Sequence, residues 1–123
     1  MRTTEEPGPE LDALVHETIG AAEEALCLEL THRNISFGRQ VSMPICYRSR
    51  PVGTSQLDLL VGGQLVVELK AVPQLLPIHV AQVISYLKAA HKPLGLLLNF
   101  HVPVLQAGIK RVVFSAKEAR THR

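Results

Sequence analysis

Two adjacent glycines, Gly62 and Gly63, separate two apolar runs in QLDLLVGGQLVVELKAV, and they restrict the fold more than any other feature of the chain. Paired glycines between β-forming runs mark a tight hairpin turn. The apolar pattern then sets the register. With a three-residue loop of Gly62, Gly63 and Gln64, Val61 pairs with Leu65 and Asp58 falls opposite Glu68. One face then collects Leu57, Leu59, Val61, Leu65, Val67, Leu69 and Ala71, and the other carries Asp58, Leu60, Val66, Glu68 and Lys70. A two-residue loop would drop Asp58 among the leucines, because a one-residue slip moves every side chain to the opposite face.

That register puts the two carboxylates roughly 5 Å apart at Cβ, with Lys70 about 7 Å away on the same face. Opposed like charges are destabilising, so the pair calls for a counter-charge. A hard divalent cation answers that need, since Mg²⁺ prefers carboxylate oxygens and keeps several waters. A lysine in a low-dielectric site could then orient or deprotonate a water. The same D-x9-E-x-K spacing also describes a surface hairpin with a charged solvent face and a Glu/Lys pair. Spacing alone does not separate the two.

The chain has 123 residues, which suits one domain with one core. Its 46% apolar content argues against disorder. The longest apolar stretches, such as LGLLL at 94–98, are too short to span a bilayer. The start, MRTTEEPGPE, is acidic and Pro-rich and is not a signal peptide. Cys27 and Cys46 match no metal or redox spacing and suit a reducing cytosol as packing residues. The net charge of +2 hides an asymmetry: residues 1–69 hold 5 Lys+Arg and 10 Asp+Glu, whereas residues 70–123 hold 8 Lys+Arg and Glu118 alone. A basic half beside an acidic pocket is compatible with a phosphate backbone approaching a metal site. Part of the basic excess is the tail KEARTHR, which reads equally as a solvated end.

Residues 1–9 read as a disordered lead and 116–123 as a polar basic tail, leaving 10–115 as one domain. From Glu10 to His32, Leu11, Leu14, Val15, Ile19, Ala22, Leu26 and Leu30 recur at helical spacing, with Gly20 weakening the run locally. QVSMPICY at 40–47 reads as a strand, with Pro44 pointing to an edge position or a bulge. RSRPVGTSQ reads as a turn-rich connection into the hairpin. Pro77 opens a helix that runs to about His91 and stops before Pro93. LGLLLNF is a short buried strand and IKRVVF at 109–114 a final one. The order α-β-β-β-α-β-β gives an α/β fold, a small mixed sheet flanked by helices.

In the second helix, Val80, Val83, Ile84 and Leu87 form an apolar stripe, and His79, Gln82 and Tyr86 share the neighbouring one. An amide and a phenol one turn apart could bind phosphate oxygens or brace carboxylates. They also fit an ordinary amphipathic helix, with Gln82 solvated and Tyr86 half-buried. His16, His32, His91 and His122 follow no ligand spacing, and His101, beside Asn99, ends a strand with nothing to specify its role.

Asp58, then Glu68-Leu69-Lys70, then Gln82-Val83-Ile84-Ser85-Tyr86 resembles the PD-(D/E)XK nuclease superfamily, in the Q-x3-Y branch of RecB-type exonucleases. The chain is more closely similar to the small bacterial proteins of the GxxExxY family, through IGAA, EEALCLEL, RQVSMPICY, LDLLVGGQLVVELKAV, PIHVAQVISYLK and LGLLLNFHVPVLQAGIKRVV, over about residues 11–115. The resemblance implies a restriction-endonuclease-like core and a Mg²⁺- or Mn²⁺-dependent phosphodiesterase acting on DNA. Asp58, Glu68 and the Leu69 carbonyl would hold the metal, Lys70 would position or activate water, and Gln82 and Tyr86 would support the site or the DNA.

The departures from the family lie near the amino terminus. One alignment keeps Gly20 and Glu23 but puts Leu26 where the family has Tyr. The other places EEALCLEL after the signature, deletes about 15 residues and leaves Glu23 as a helix-surface residue. The segment GTSQL before Asp58 is also poorer in Gly, Tyr and Arg than the family pattern. Two functions follow: a metal-dependent nuclease, or a catalytically impaired nuclease-like module that binds nucleic acid, a protein partner or a second copy across exposed core surface.

Overall fold

A computed structural model describes residues 9–101 and 105–115, with side chains described for 17–101 and 107–115. Helix α1 (Pro9–His32) is followed by β1 (Phe37–Tyr47), β2 (Arg50–Val61), β3 (Leu65–Lys70), α2 (Pro77–Ala90), β4 (Leu94–Asn99), a 3₁₀ turn (Leu105–Gly108) and β5 (Ile109–Val113). Of the expected lead at 1–9, residues 1–8 lie outside the described residues, as does the expected tail at 116–123; Pro9 already belongs to α1. The strands form one mixed sheet in the order β1-β2-β3-β4-β5. Among the described strands only β3 and β4 run parallel, with α2 as the crossover between them. This is the expected α/β core.

The hairpin forms as its glycines require. Gly62 and Gly63 take φ of 59° and 67°, and the Gln64 amide donates to the Val61 carbonyl at 3.0 Å. Positive φ at both central residues is the type I′ pattern that matches strand twist. Val61 pairs with Leu65, Leu60 with Val66 and Leu59 with Val67, in the expected register.

Two helices cover the two faces. On one, Ile19, Leu26 and Cys27 of α1 pack with Leu59, Val67, Leu69 and Leu98. On the other, Val83, Tyr86 and Leu87 of α2 pack with Leu57, Val66, Leu97 and Val112. Gly95 lets α2 sit against β4: a Cβ there would lie 2.7 Å from Val83 Cγ1 and 3.3 Å from the Val66 carbonyl oxygen. His79 caps α2 rather than extending a functional stripe, its Nδ1 accepting from the Leu76 amide at 2.8 Å. It does what Glu or Gln does in a capping box.

Two expectations are corrected. RSRPVGTSQ is mostly strand, because only Arg48 and Ser49 turn the chain, at φ of 50° and 64°. From Arg50 onward the segment pairs with β1 through Tyr47↔Arg50, Cys46↔Pro51, Ile45↔Gly53 and Pro44↔Thr54. Pairing in a two-stranded arm tolerates the Pro and Gly that burial in mid-sheet would not. Leu57 also leaves the face of Leu59 and joins the α2-side core. Alternation is therefore broken between them, at Asp58.

Candidate active site

Asp58 sits where the sheet opens. The β2–β3 ladder ends at Leu59↔Val67, and on the other flank Gln40, opposite Asp58, adopts φ of 49° between the pairs Arg39↔Leu59 and Val41↔Leu57. A non-glycine residue in that conformation inside a strand is uncommon and marks a local distortion. Asp58 and Glu68 face each other across the resulting gap, joined by side-chain bonds in place of backbone ones. The Asp58 amide donates to Glu68 Oε1 at 2.8 Å, and the Leu69 amide donates to Asp58 Oδ2 at 2.7 Å. Each carboxylate is thus aimed by the opposite strand. In a strand the N–H and C=O of one residue point to the same edge, so the Leu69 carbonyl also borders the gap.

Glu68 is the buried member, 3% exposed, while Asp58 is half-buried. Burial pushes the Glu68 carboxyl up from 4.5 to about 7; the Asp58 amide counteracts, the Asp58 carboxylate pushes further up and Lys70 pulls down. Ionised, such a group gains from a nearby cation far more than an exposed carboxylate does. Two carboxylates, one carbonyl and solvent make a hard, oxygen-rich donor set of the kind Mg²⁺ accepts, since it commonly takes only one or two protein carboxylates. The residues present fit such an ion. Among the described residues no group of three His, Cys, Asp or Glu is arranged to hold a metal, so a cation here would rely on water and substrate oxygens for the rest of its shell.

Lys70 leaves the carboxylates on the α2 side. Its Nζ donates to Gln82 Oε1 at 2.9 Å, and Gln82 Nε2 donates to Tyr86 Oη at 3.1 Å. The amide and phenol therefore brace the lysine rather than solvate the helix, and Tyr86 is buried at 6% exposure instead of half-buried. Two bonded sets result, Asp58 with Glu68 and Lys70 with Gln82 and Tyr86, and the Lys70 charge is close enough to pull the Glu68 carboxyl down.

The family profile that matches the chain describes the PD-(D/E)XK nuclease superfamily and covers residues 13–112. The chain belongs to that superfamily. No curated protein and no solved structure matches it. The mixed five-stranded sheet with one helix on each face is consistent with a PD-(D/E)XK core, and Asp58, Glu68 and Lys70 lie on its β2–β3 hairpin.

The candidate site is tied to more residues than Asp58, Glu68 and Lys70. Glu23 is not merely a helix-surface residue: Gln40 Nε2 donates to its Oε1 at 3.1 Å and reaches Asp58 Oδ1 at 3.5 Å. Arg39 lies 3.7 Å from the other Glu23 oxygen and bonds Glu24 at 2.9 Å. Glu23 thus joins the site through Gln40, not directly. Asn99 pins the chain beyond Lys70, its amide group bonding both the Val72 N–H at 3.0 Å and the Val72 carbonyl at 2.9 Å. His101 is exposed and adds no side-chain bond to the site; its backbone N–H bonds Asn99 Oδ1 at 3.2 Å. Sequence spacing did not find Gln40 or Asn99. A buried asparagine closing an apolar strand was the one available signal, since a buried amide has to be bonded.

Proposed function

We propose that this protein is a Mg²⁺- or Mn²⁺-dependent nuclease that hydrolyses phosphodiester bonds in DNA, a GxxExxY-type member of the Q-x3-Y branch, working in the cytoplasm. Superfamily membership supports the nuclease-like reading and nucleic acid as ligand. The observation that carries it is the opened ladder at Asp58, which aims two carboxylates, one of them buried, into a gap beside a braced lysine. When bound, a hard divalent cation supplies Lewis-acid charge to a phosphate and acidifies water. Asp58, Glu68 and the Leu69 carbonyl would hold it. Lys70 presents an ammonium donor to the attacking water or a phosphate oxygen, and Gln82 keeps that ammonium from collapsing onto the carboxylates. The free Cys27 and Cys46 suit a reducing compartment.

The test is titration calorimetry with Mg²⁺ and then Mn²⁺ on the wild type and Glu68→Ala. Binding that disappears in the variant supports the site and is followed by a cleavage screen on short single- and double-stranded DNA. A folded wild type that binds neither ion overturns the catalytic reading.

The second reading, an impaired nuclease-like module that needs a partner, is favoured by one observation. Leu28 on α1 and Ile109 and Val113 on β5 are large apolar side chains left 47–63% exposed, consistent with core surface uncovered by a shortened amino-terminal region. Sedimentation separates the two: a monomer that binds metal and cleaves DNA leaves this reading without support.

A further inference from the structure

We propose that Ser55 is a positioning residue for Lys70, acting through Tyr86 and Gln82; this rests on the reading of Lys70 as part of the site. Four side chains stand in one line. Lys70 Nζ donates to Gln82 Oε1 at 2.9 Å, Gln82 Nε2 donates to Tyr86 Oη at 3.1 Å, and Tyr86 Oη lies 2.8 Å from Ser55 Oγ. Donor and acceptor chemistry gives the line a direction. An ammonium has three donors and no acceptor, so Gln82 turns its carbonyl to Lys70 and its NH₂ to Tyr86. The phenol accepts there, and its single hydrogen goes elsewhere. Two acceptors are in reach, Ser55 Oγ at 2.8 Å and the Gln56 carbonyl at 3.5 Å. An O–H···O bond is best at about 2.7–2.8 Å and weak beyond about 3.0 Å. Ser55 takes the proton.

Ser55 therefore keeps the line pointing outward from Lys70. With the Gln56 carbonyl at 3.5 Å as the acceptor left on its far side, the Tyr86 hydroxyl gains by turning its hydrogen back to Gln82, which it can bond only if the amide flips. A flipped amide sets NH₂ against the Lys70 ammonium, donor against donor, and the lysine loses its brace. The anchor itself is well fixed. Ser55 lies in β2 opposite Met43, in the wall of a cleft of about 740 Å³ between the β1–β2 arm and α2.

Ser55→Thr and Ser55→Val have the same shape, suit a strand equally and differ in the hydroxyl. Nuclear Overhauser contacts from the Gln82 side-chain amide protons report its orientation without metal or substrate. Wild type and Ser55→Thr are expected to show contacts to the Tyr86 ring alone, and Ser55→Val contacts to the Lys70 Hε protons as well. With Mg²⁺ and short DNA, kcat falls about tenfold in Ser55→Val at unchanged KM, the worth of one hydrogen bond, and Ser55→Thr restores it. A single, unchanged amide orientation in Ser55→Val overturns the proposal, whether or not the protein cleaves DNA. Ser55→Ala repeats the measurement if valine unfolds the hairpin. A wild type that shows the amide contacts and cleaves nothing overturns the nuclease reading and leaves the positioning role standing.

Discussion

Replacing Glu68 with Gln should stabilise the metal-free protein at alkaline pH and leave it unchanged at acid pH. The folded carboxyl is pushed from 4.5 to about 7, mainly by burial. Between those two values the folded chain holds a proton that the unfolded chain has released. Stability therefore falls as pH rises through that window, and the whole loss is present above it. At about 1.4 kcal/mol per pH unit, the distance from 4.5 to about 7 corresponds to about 3 kcal/mol. Glutamine keeps an Oε1 acceptor for the Asp58 amide, now at 2.8 Å, and never ionises. In a chain of this size about 3 kcal/mol moves Tm by about 10 °C. Calorimetric melting in chelator is the assay, at pH 4.5, 6 and 8. The variant should gain about 10 °C at pH 8, part of that at pH 6 and nothing at pH 4.5. Added Mg²⁺ should raise the wild type alone and narrow the gap, because a ligand bound only by the folded state stabilises it. An equal offset at all three pH values, or no gain at pH 8, would refute the argument: Glu68 would not be ionising against burial, and its need for a cation would lose its basis.

Lys70→Ala should leave the circular dichroism spectrum intact and remove detectable DNA cleavage; a fully active variant would take the lysine out of the chemistry. Asp58→Asn keeps an oxygen for the Leu69 amide, so it should fold normally while losing at least tenfold in Mg²⁺ affinity by calorimetry. Unchanged affinity would mean that Asp58 is not a ligand. Gly95→Ala forces a Cβ to within 2.7 Å of Val83 Cγ1 and should cost about 1–3 kcal/mol in denaturant unfolding, without altering metal binding in the protein that remains folded.

The hairpin was legible because two independent signals agree on it. Gly62 and Gly63 fix the turn, and the apolar faces of the two strands admit one register. Lys70, Gln82 and Tyr86 were legible as candidates from spacing, but their linkage was not. Lys70 meets Gln82 only because α2 settles onto Gly95. The first half of β2 was hidden for a different reason. Arg50–Gln56 is held by pairing with β1 more than by burial, so Pro51, Gly53 and the small polar residues read as a turn. Regular alternation carried back through GTSQ would have put Ser55 on the Leu59 face, whereas Ser55 shares the α2 face with Leu57. Leu57 itself was misplaced because period two assumes a regular strand, and the chain is irregular at Asp58 opposite a left-handed Gln40. Glu23 needed the same distortion, since Gln40 is what reaches it.

The irregularity that defeated the alternation is also what makes the site. In a continuous antiparallel ladder, backbone amides bond carbonyls and leave side chains to find their own partners. Here the ladder stops one residue short of the carboxylate pair, and the freed amides of Asp58 and Leu69 bond Glu68 Oε1 and Asp58 Oδ2 instead. One exchange does three things. It satisfies amides that burial would otherwise penalise, fixes both carboxylates without a further side chain, and turns the Leu69 carbonyl towards the gap they border. Orientation of the acids and register of the hairpin are therefore one property. A one-residue slip would bring Leu57 or Leu59 opposite Glu68, closing the gap with an apolar side chain and leaving the buried carboxylate without its amide. That coupling explains how two acidic residues persist in the middle of a five-stranded sheet. The sequence that specifies the turn at Gly62 and Gly63 also sets, four residues before it and five after it, the two carboxylates proposed to hold a divalent cation.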